Sequence, residues 1–465
     1  MQLFLPLLVA SVAANPLAKR VSGTSIVDLS NNTGEPEHLA SGLLYGIPDA
    51  PNQIPDHFYT DIGFNYARGG GAQVPAPGLG WIWGLSEYQV RFASALSNYK
   101  TARKYNATFI FLIHDLWGAD GKQNSSAPYP GDNGNWTFWD DYLTQWISDM
   151  HANNATTGLA VDIWNEPDNK PFWNASQAQY FQMRGRTYHR LRSAFVDRND
   201  LPGVELIGPA YIGLPSASDS WWTKFLSFVA KNSSVPDQYV WHMEEGIGDM
   251  ETSNGVLQSL LETYGLPSKP LNIDEYAIYK EQCPAGSAWY ISQLERVNAR
   301  GLRGNWQSGN ELHDLMASLV SKPTAGTSEY NYTGTGYFPN GDYQVYKYYN
   351  LNMTGYRVGT SPSADLKLDT FATVGTDMVR VLSGVRIELG VWQITINNLT
   401  SVGLADSGEL HIHTWGFPFT GGHFGEVDAL TDLGWVSHNY TGNSVTFPIY
   451  NWVNTTAYAF EFYVG

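Results

Sequence analysis

A single cysteine, Cys283, in 465 residues forbids any intrachain disulfide. The fold must rest on a buried core rather than on crosslinks, and a chain this long can bury one. Positive charge is scarce. Lys and Arg number 27 against 44 Asp and Glu, a formal net charge of −17. That balance argues against nucleic acid or an anionic membrane surface as a partner. Long apolar runs are missing as well. The apolar stretch near the N-terminus, Leu3 to Val12, falls far short of the roughly 20 residues that span a bilayer. No glycine-rich phosphate loop follows the first strand-like run, which speaks against a dinucleotide-binding fold.

The N-terminal stretch reads instead as a targeting segment. Its apolar run ends at Val12-Ala13-Ala14, a small-residue cleavage pattern, and the dibasic pair Lys19-Arg20 closes a short pro-segment. Residues 1–20 are therefore expected to be removed from a secreted, extracellular product. Twelve Asn-x-Ser/Thr sequons fit that route: Asn31, Asn106, Asn124, Asn135, Asn154, Asn174, Asn232, Asn331, Asn352, Asn398, Asn439 and Asn454. They predict N-linked glycans. The chain is also rich in rings, with 17 Trp and 28 Tyr. Part of this excess builds core. Part is what a sugar-binding cleft needs, because a flat ring packs on the apolar face of a pyranose.

Between about residues 42 and 310, short β-rich runs alternate with helix-length segments. The runs are SGLLYGI, FNYARG, ATFIFLIHD, LAVDIWNE, VELIGPAY, QYVWHM, PLNIDEYA and LRGNWQ. Helical patterns span 86–105, 136–153, 176–196, 221–231, 255–264 and 288–300, with two more at 310–321 and 343–354. Eight βα repeats in one stretch predict a (β/α)8 TIM barrel rather than an open doubly wound sheet. After residue 354 the pattern changes. Gly359 to Asp365 reads as a linker, and six alternating strands without helices follow. The organisation expected is a barrel over 41–356 and a C-terminal β-sandwich over 357–465. Residues 21–40 are a further segment able to add a strand to the sandwich.

Catalytic groups of such barrels sit at the C-terminal ends of the strands. The fourth run ends in Trp164-Asn165-Glu166-Pro167 and the seventh in Ile273-Asp274-Glu275-Tyr276. Two carboxyls about 5 Å apart can cleave a glycoside with retention: one protonates the leaving oxygen and the other attacks the anomeric carbon. The acid must keep its proton, so burial and a negative neighbour are expected to raise its pKa. Asp274 competes with Glu275, and strand alternation favours Glu275. Asp162, two residues before Trp164, reads as a structural partner inside the barrel.

These motifs resemble the clan A retaining glycosidases, which carry Asn-Glu-Pro after the fourth strand and a Glu after the seventh. More narrowly, the chain looks like glycoside hydrolase family 39, with its β-xylosidases and α-L-iduronidases. Arg68 in NYARGG, His242 in VWHMEE, Trp306 in GNWQ and the C-terminal sandwich carry that likeness. The resemblance implies that Glu166 is the acid/base, Glu275 the nucleophile, Asn165 a partner of the sugar 2-hydroxyl, and Arg68 the cation that keeps Glu275 ionised. It implies no metal and no cofactor. His114 and Trp117, after the third strand, join the substrate-binding candidates. Two departures stand out. Clan members often place a tyrosine shortly after the strand-six histidine, where Glu244 and Glu245 stand here. The Ile113-His114-Asp115-Leu116-Trp117 segment has no familiar counterpart.

The activity expected is exo-cleavage of a plant or microbial cell-wall saccharide, β-xylosidase-like, by double displacement. An endo-acting enzyme or an arabinan or galactan side-chain glycosidase is the runner-up. Scarce Lys and Arg in the strand-end loops disfavour a uronate substrate. A rival from another class is an inactive carbohydrate-binding protein on a hydrolase scaffold, which would be expected to lack one of the glutamates. Trp81 and Trp83 are further candidates for a sugar platform. His411, His413 and His423 lack a matching acid set and read as sheet and loop residues, and Cys283 reads as a lone thiol.

Overall fold

The computed structural model describes residues 21–75, 77–120, 127–197 and 204–465. The leader expected at 1–20 and the sequon at Asn124 lie outside the described residues. Eight parallel strands close into a barrel: β2 (Gly42–Leu44), β3 (Tyr66–Gly69), β4 (Thr108–Leu112), β5 (Leu159–Asp162), β6 (Glu205–Tyr211), β7 (Tyr239–Met243), β8 (Leu271–Tyr276) and β9 (Ala299–Arg303). Seven fall within the runs read from sequence; β9 starts earlier than the eighth run, at Ala299 in the segment read as helix, and shares only Leu302 and Arg303 with it. Each is buried on both faces, because the barrel interior lies on one side and a ring of helices on the other. Tyr66, Ile110, Ala160, Ile207, Ala210, Val240 and Leu302 fill the interior as a separate small cluster. Side-chain caps start several of the outer helices: Ser176, Asp219 and Asn340 accept from the backbone N–H of Gln179, Trp221 and Asp342. Among the described residues, no helix is long and apolar enough to cross a membrane.

The helix expected at 310–321 does not form. A short 3-10 turn, Gly309–His313, gives way to four successive residues with positive φ: Leu315 (64°), Met316 (48°), Ala317 (51°) and Ser318 (65°). All four are buried. Left-handed backbone costs a non-glycine residue roughly 1–2 kcal/mol, so tertiary partners must hold it. They do: the Met316 N–H donates to Gly46 O at 3.0 Å, and Arg303 Nε donates to Ala317 O at 2.7 Å. The chain then forms the short pair β10 (Val320–Ser321) and β11 (Phe338–Pro339).

A second, nine-stranded sheet contains β1 (Thr24–Gly34), β12 (Tyr356–Ser361), β13 (Leu368–Val374), β14 (Met378–Val385), β15 (Gly390–Asn397), β16 (Gly408–Phe417), β17 (Thr431–Tyr440), β18 (Ser444–Asn451) and β19 (Ala457–Tyr463). Its order is β17-β16-β19-β14-β13-β12-β1-β15-β18. β17 and β18 are consecutive in sequence yet stand at opposite ends, joined through a Thr441–Ser444 bridge, so the sheet folds over into two layers. Val27, Leu368, Val381, Ile394, Ile412, Phe447 and Phe462 meet between them. β1 lies antiparallel to β12 and parallel to β15, third from the β18 end of the order. The linker expected from Gly359 is partly strand, since β12 runs to Ser361 and borders β1.

The helix Pro284–Val297 is wedged between barrel and sheet, with Trp289, Tyr290, Ile291 and Leu294 fully buried. Gly384 on β14 touches it so closely that an added Cβ would collide with Ala285 O. Ion pairs fasten the same seam. Arg386 Nε meets Glu281 at 2.7 Å, and Arg357 Nη1 meets Glu295 at 2.7 Å. The β-domain thus braces the barrel on the side that carries β8 and β9.

Candidate active site

The C-terminal ends of the barrel strands surround a cleft of about 340 Å³, within the usual range for a small-molecule site. Glu166 and Glu275 both line it. Glu166 follows β5 in a left-handed conformation, φ 41°. Its backbone N–H donates to Ala210 O at 2.9 Å, and its carbonyl accepts from Asn169 N at 2.9 Å. Strained backbone of this kind persists where the surroundings fix it, and it aims the side chain. Asn169 Nδ2 donates to Glu166 Oε2 at 2.8 Å, and His242 Nδ1 lies 2.9 Å from Glu166 Oε1.

Behind Glu275 stands Arg68, on β3 and fully buried. Its guanidinium reaches four partners. One Nη bonds Glu275; the other lies 2.6 Å from Asp162 and 2.7 Å from Asn165 Oδ1; Nε lies 2.9 Å from Asp274. Regular alternation would turn Asp274 away from Glu275. A register shift between Ile273 and Tyr276 in the β8–β9 pairing brings both to the same guanidinium. His242 Nε2 adds contacts to Asp274 at 3.3 Å and Glu275 at 3.8 Å.

Carboxyl and imidazole atoms of Glu166, His242, Glu244 and Glu275 all lie within 4.8 Å of one another. This group is close enough to share a cation, but its acids already face the positive charge of Arg68 and of a protonated His242. Burial alone would lower His242, yet the Glu275 charge and the hydrogen bonds to Asp274 and Glu166 lift it well above the ordinary histidine value. The converse holds for Glu166. Burial would raise it, but the hydrogen bond and charge of His242, helped by Asn169, hold it below the usual glutamate value. The raised acid expected from sequence is therefore not the resting state of Glu166 alone; the proton belongs to the Glu166–His242 pair. Glu275 is raised by burial against the pull of His242 and Arg68.

The sequence candidates divide in three. Glu166, Glu275, Asn165, His114 and Trp306 line the cleft. Trp306 is 44% exposed, and its indole N–H donates to Ala277 O at 2.9 Å, which fixes the ring at the rim. Arg68 and His242 do not face the cleft; they hold the carboxylates from behind. Trp117 is 1% exposed and packs against Trp139, Phe138 and Tyr142, so it is core rather than platform. Trp81 packs against Tyr88 and Tyr142 and does not line the cleft, nor does Trp83. Burial pushes the Cys283 thiol up to about 12, which leaves no thiolate for chemistry. His413 pairs with Asp432 at 2.8 Å between Trp415 and Trp435.

Several cleft residues escaped the sequence reading. Tyr45, at the end of β2, donates to Asp115 and accepts from the N–H of Gly70 and Ala72 at 2.8 and 3.0 Å. His114 Nε2 meets Asp115 at 2.7 Å. Burial would raise Asp115, but His114 and Tyr45 hold it below its ordinary value, as a carboxylate on the cleft wall. Gln307, held by its 3.0 Å bond to Ser318 Oγ, and Glu244 add to the polar lining. A Tyr-Gly pair closing a strand carries no catalytic signature, and a Glu-Glu pair reads as a solvated loop.

A parallel (β/α)8 barrel braced by a β-sheet domain is a fold that solved glycosidases share. Solved structures bear out the likeness of fold. The chain is similar to a protein from Neocallimastix frontalis (TM-score 0.72, 19% identity, covering 96% of this chain and 100% of that one). It is similar to a monomeric β-xylosidase from Caulobacter crescentus (0.56, 16%, 95% and 100%). It is also similar to a glycoside hydrolase family 39 enzyme from Xanthomonas axonopodis pv. citri (0.55, 15%, 98% and 100%). No protein-family model matches the sequence, and no curated protein matches it.

Proposed function

We propose that this protein is a secreted retaining glycoside hydrolase, exo-acting and β-xylosidase-like, that works on plant or microbial cell-wall saccharides. One observation carries the reading: carboxyl oxygens of Glu166 and Glu275 lie within 4.8 Å across a cleft at the strand ends. Inverting enzymes need about 6.5–9.5 Å to admit a water between the acids, so this spacing favours double displacement. Glu275, held by Arg68, attacks the anomeric carbon. The Glu166–His242 pair supplies a proton through Glu166 to the leaving oxygen, and Glu166 then takes one from water as the glycosyl-enzyme is hydrolysed. Asn165, anchored by Arg68, offers its amide to the sugar 2-hydroxyl.

The cleft lining also bears on the substrate. Among the described residues it includes Asp115, Asp120, Glu166, Glu244 and Glu275 and no Lys or Arg. The cations that pair with these acids, Arg68, Arg91 and His242, stand behind them rather than in the lining, so a wall that presents acids favours a neutral sugar over a uronate. The likeness to a β-xylosidase points the same way. Secretion is supported by the leader-like N-terminus and by the sequons. Of the eleven within the described residues, eight asparagines are exposed and none is buried, so the fold leaves room for glycans.

Glu275→Ala should abolish turnover of aryl xylosides. Added azide should restore it and release a glycosyl azide of inverted anomeric configuration. Wild-type activity in that variant would overturn the assignment. A screen of aryl glycosides and polysaccharides, with products sized, separates exo- from endo-cleavage and names the sugar.

A further inference from the structure

We propose that Glu244 works as a carboxylic acid rather than a carboxylate, and that it donates a hydrogen bond to Glu275, positioning the nucleophile. The inference rests on the proposed roles of Glu166 and Glu275.

The argument is one of charge and place. Asp162, Glu166, Glu244, Asp274 and Glu275 converge at one end of the barrel, and among the described residues the cations paired with them are Arg68 and a protonated His242. Two positive charges cannot balance five carboxylates in a buried space, so at least one acid must keep its proton. The contacts decide which. Arg68 serves Asp162, Asp274 and Glu275, and His242 serves Glu166. Among the described residues, no Lys, Arg or His nitrogen lies within ion-pair distance of Glu244.

The groups around Glu244 reinforce this. Glu275 on β8, Glu166 after β5 and His242 on β7 face it within the cluster. Arg68 stands beyond Glu275. Tyr290, from the helix behind, is already bound to Glu281. Burial, then the charge of Glu275, raise Glu244 well above the ordinary glutamate value, and the hydrogen bond between the two carboxyls adds to that. A place has been made for the side chain. An added Cβ at Gly304, on the loop after β9, would collide with Glu244 Oε1, so only glycine leaves the carboxyl its position. A neutral acid beside a carboxylate lets two close carboxyls attract, whereas two carboxylates would repel.

The test compares Glu244→Gln with Glu244→Ala. Gln keeps a donor and cannot ionise, so kcat should stay within about threefold of wild type, whereas Ala should lose about tenfold or more. Infrared difference spectra between wild type and Glu244→Gln near neutral pH should show the carbonyl band of a protonated carboxylic acid lost in the variant. That readout needs no turnover. A protein that cleaves no glycoside would sink the proposed function while leaving the protonation of Glu244 decided. If Ala fails to fold, Gln and its spectrum still carry the test. Loss of activity in Gln as deep as in Ala, or an unchanged carboxylic acid band, would overturn the inference.

Discussion

Replacing Arg68 by methionine removes the one guanidinium that three buried carboxylates share. Methionine keeps much of the volume, so the change is chiefly one of charge. Breaking a buried pair by deleting one partner costs about 3–5 kcal/mol. The three acids would not add independently, because Asp162, Asp274 and Glu275 can each take up a proton instead. The expected loss at neutral pH is therefore that of about one uncompensated pair, roughly 3–5 kcal/mol, or a Tm lower by about 3–5 °C for a chain of this size. The pH dependence has a definite sign. Without Arg68 the folded-state pKa values of Asp162 and Glu275, already raised by burial, rise further above their unfolded values near 4. Below about pH 4 both states are protonated, and the variant loses only packing. As pH rises from there through the raised folded values, the fold must bury charge or hold protons, and the deficit grows. Thermal unfolding of wild type and Arg68→Met from acid to neutral pH measures it, with aryl glycoside turnover in parallel. kcat/KM should fall at least about a hundredfold, since the nucleophile loses both its counter-ion and its ionised state. A deficit equal at pH 4 and pH 7, or near-normal turnover, would refute the reasoning.

Three further outcomes follow from the same geometry. Glu166→Ala should lose far more activity on substrates with poor leaving groups than on those with very good ones, because only the former need its proton; equal losses in the two series would count against the acid role. Trp306→Ala should raise KM by about tenfold with a smaller effect on kcat, the loss expected when a ring at the cleft rim no longer packs on a sugar face. Initial rates across a substrate series read this directly, and an unchanged KM would remove Trp306 from the binding surface. Gly304→Ala should displace Glu244 and cut kcat severalfold or more while shifting Tm by only about 1–3 °C, because the collision falls on a movable carboxyl; full activity would mean that the carboxyl position does not matter.

The barrel was legible because parallel strands buried on both faces leave short, largely apolar runs, such as Thr108–Leu112 and Leu159–Asp162. The two glutamates were legible because strand order puts residues 166 and 275 at the same rim. Residues 310–321 misled because Leu312, Leu315, Met316 and Leu319 repeat at helical spacing. Their burial comes instead from a left-handed turn whose partners, Gly46 and Arg303, are remote or on another element. Trp117 misled because a ring that ends a strand can turn either into the cleft or under it, and the sequence does not say which. Asp274 and Glu275 share Arg68 only through a register shift, which periodicity cannot reveal. The low resting pKa of Glu166 depends on His242, whose ring reaches it across the barrel from residue 242.

The placement of β1 has a consequence for biosynthesis. Its neighbours in the sheet are β12 and β15, so Ile26 must wait for Ser361 and Thr395 before its backbone is paired on both sides. A chain emerging from the ribosome completes the whole barrel in that interval, and domains tend to fold as they emerge. The barrel can therefore close early, while the β-domain assembles only after the last strands are made. Until then β1 is an unpaired strand on a nascent chain, the kind of edge that invites aggregation. Its own composition answers the hazard: the second half, Ser30-Asn31-Asn32-Thr33-Gly34, is polar and exposed, and it holds the first sequon of the chain. A glycan added at Asn31 during synthesis would shield this strand through its long wait.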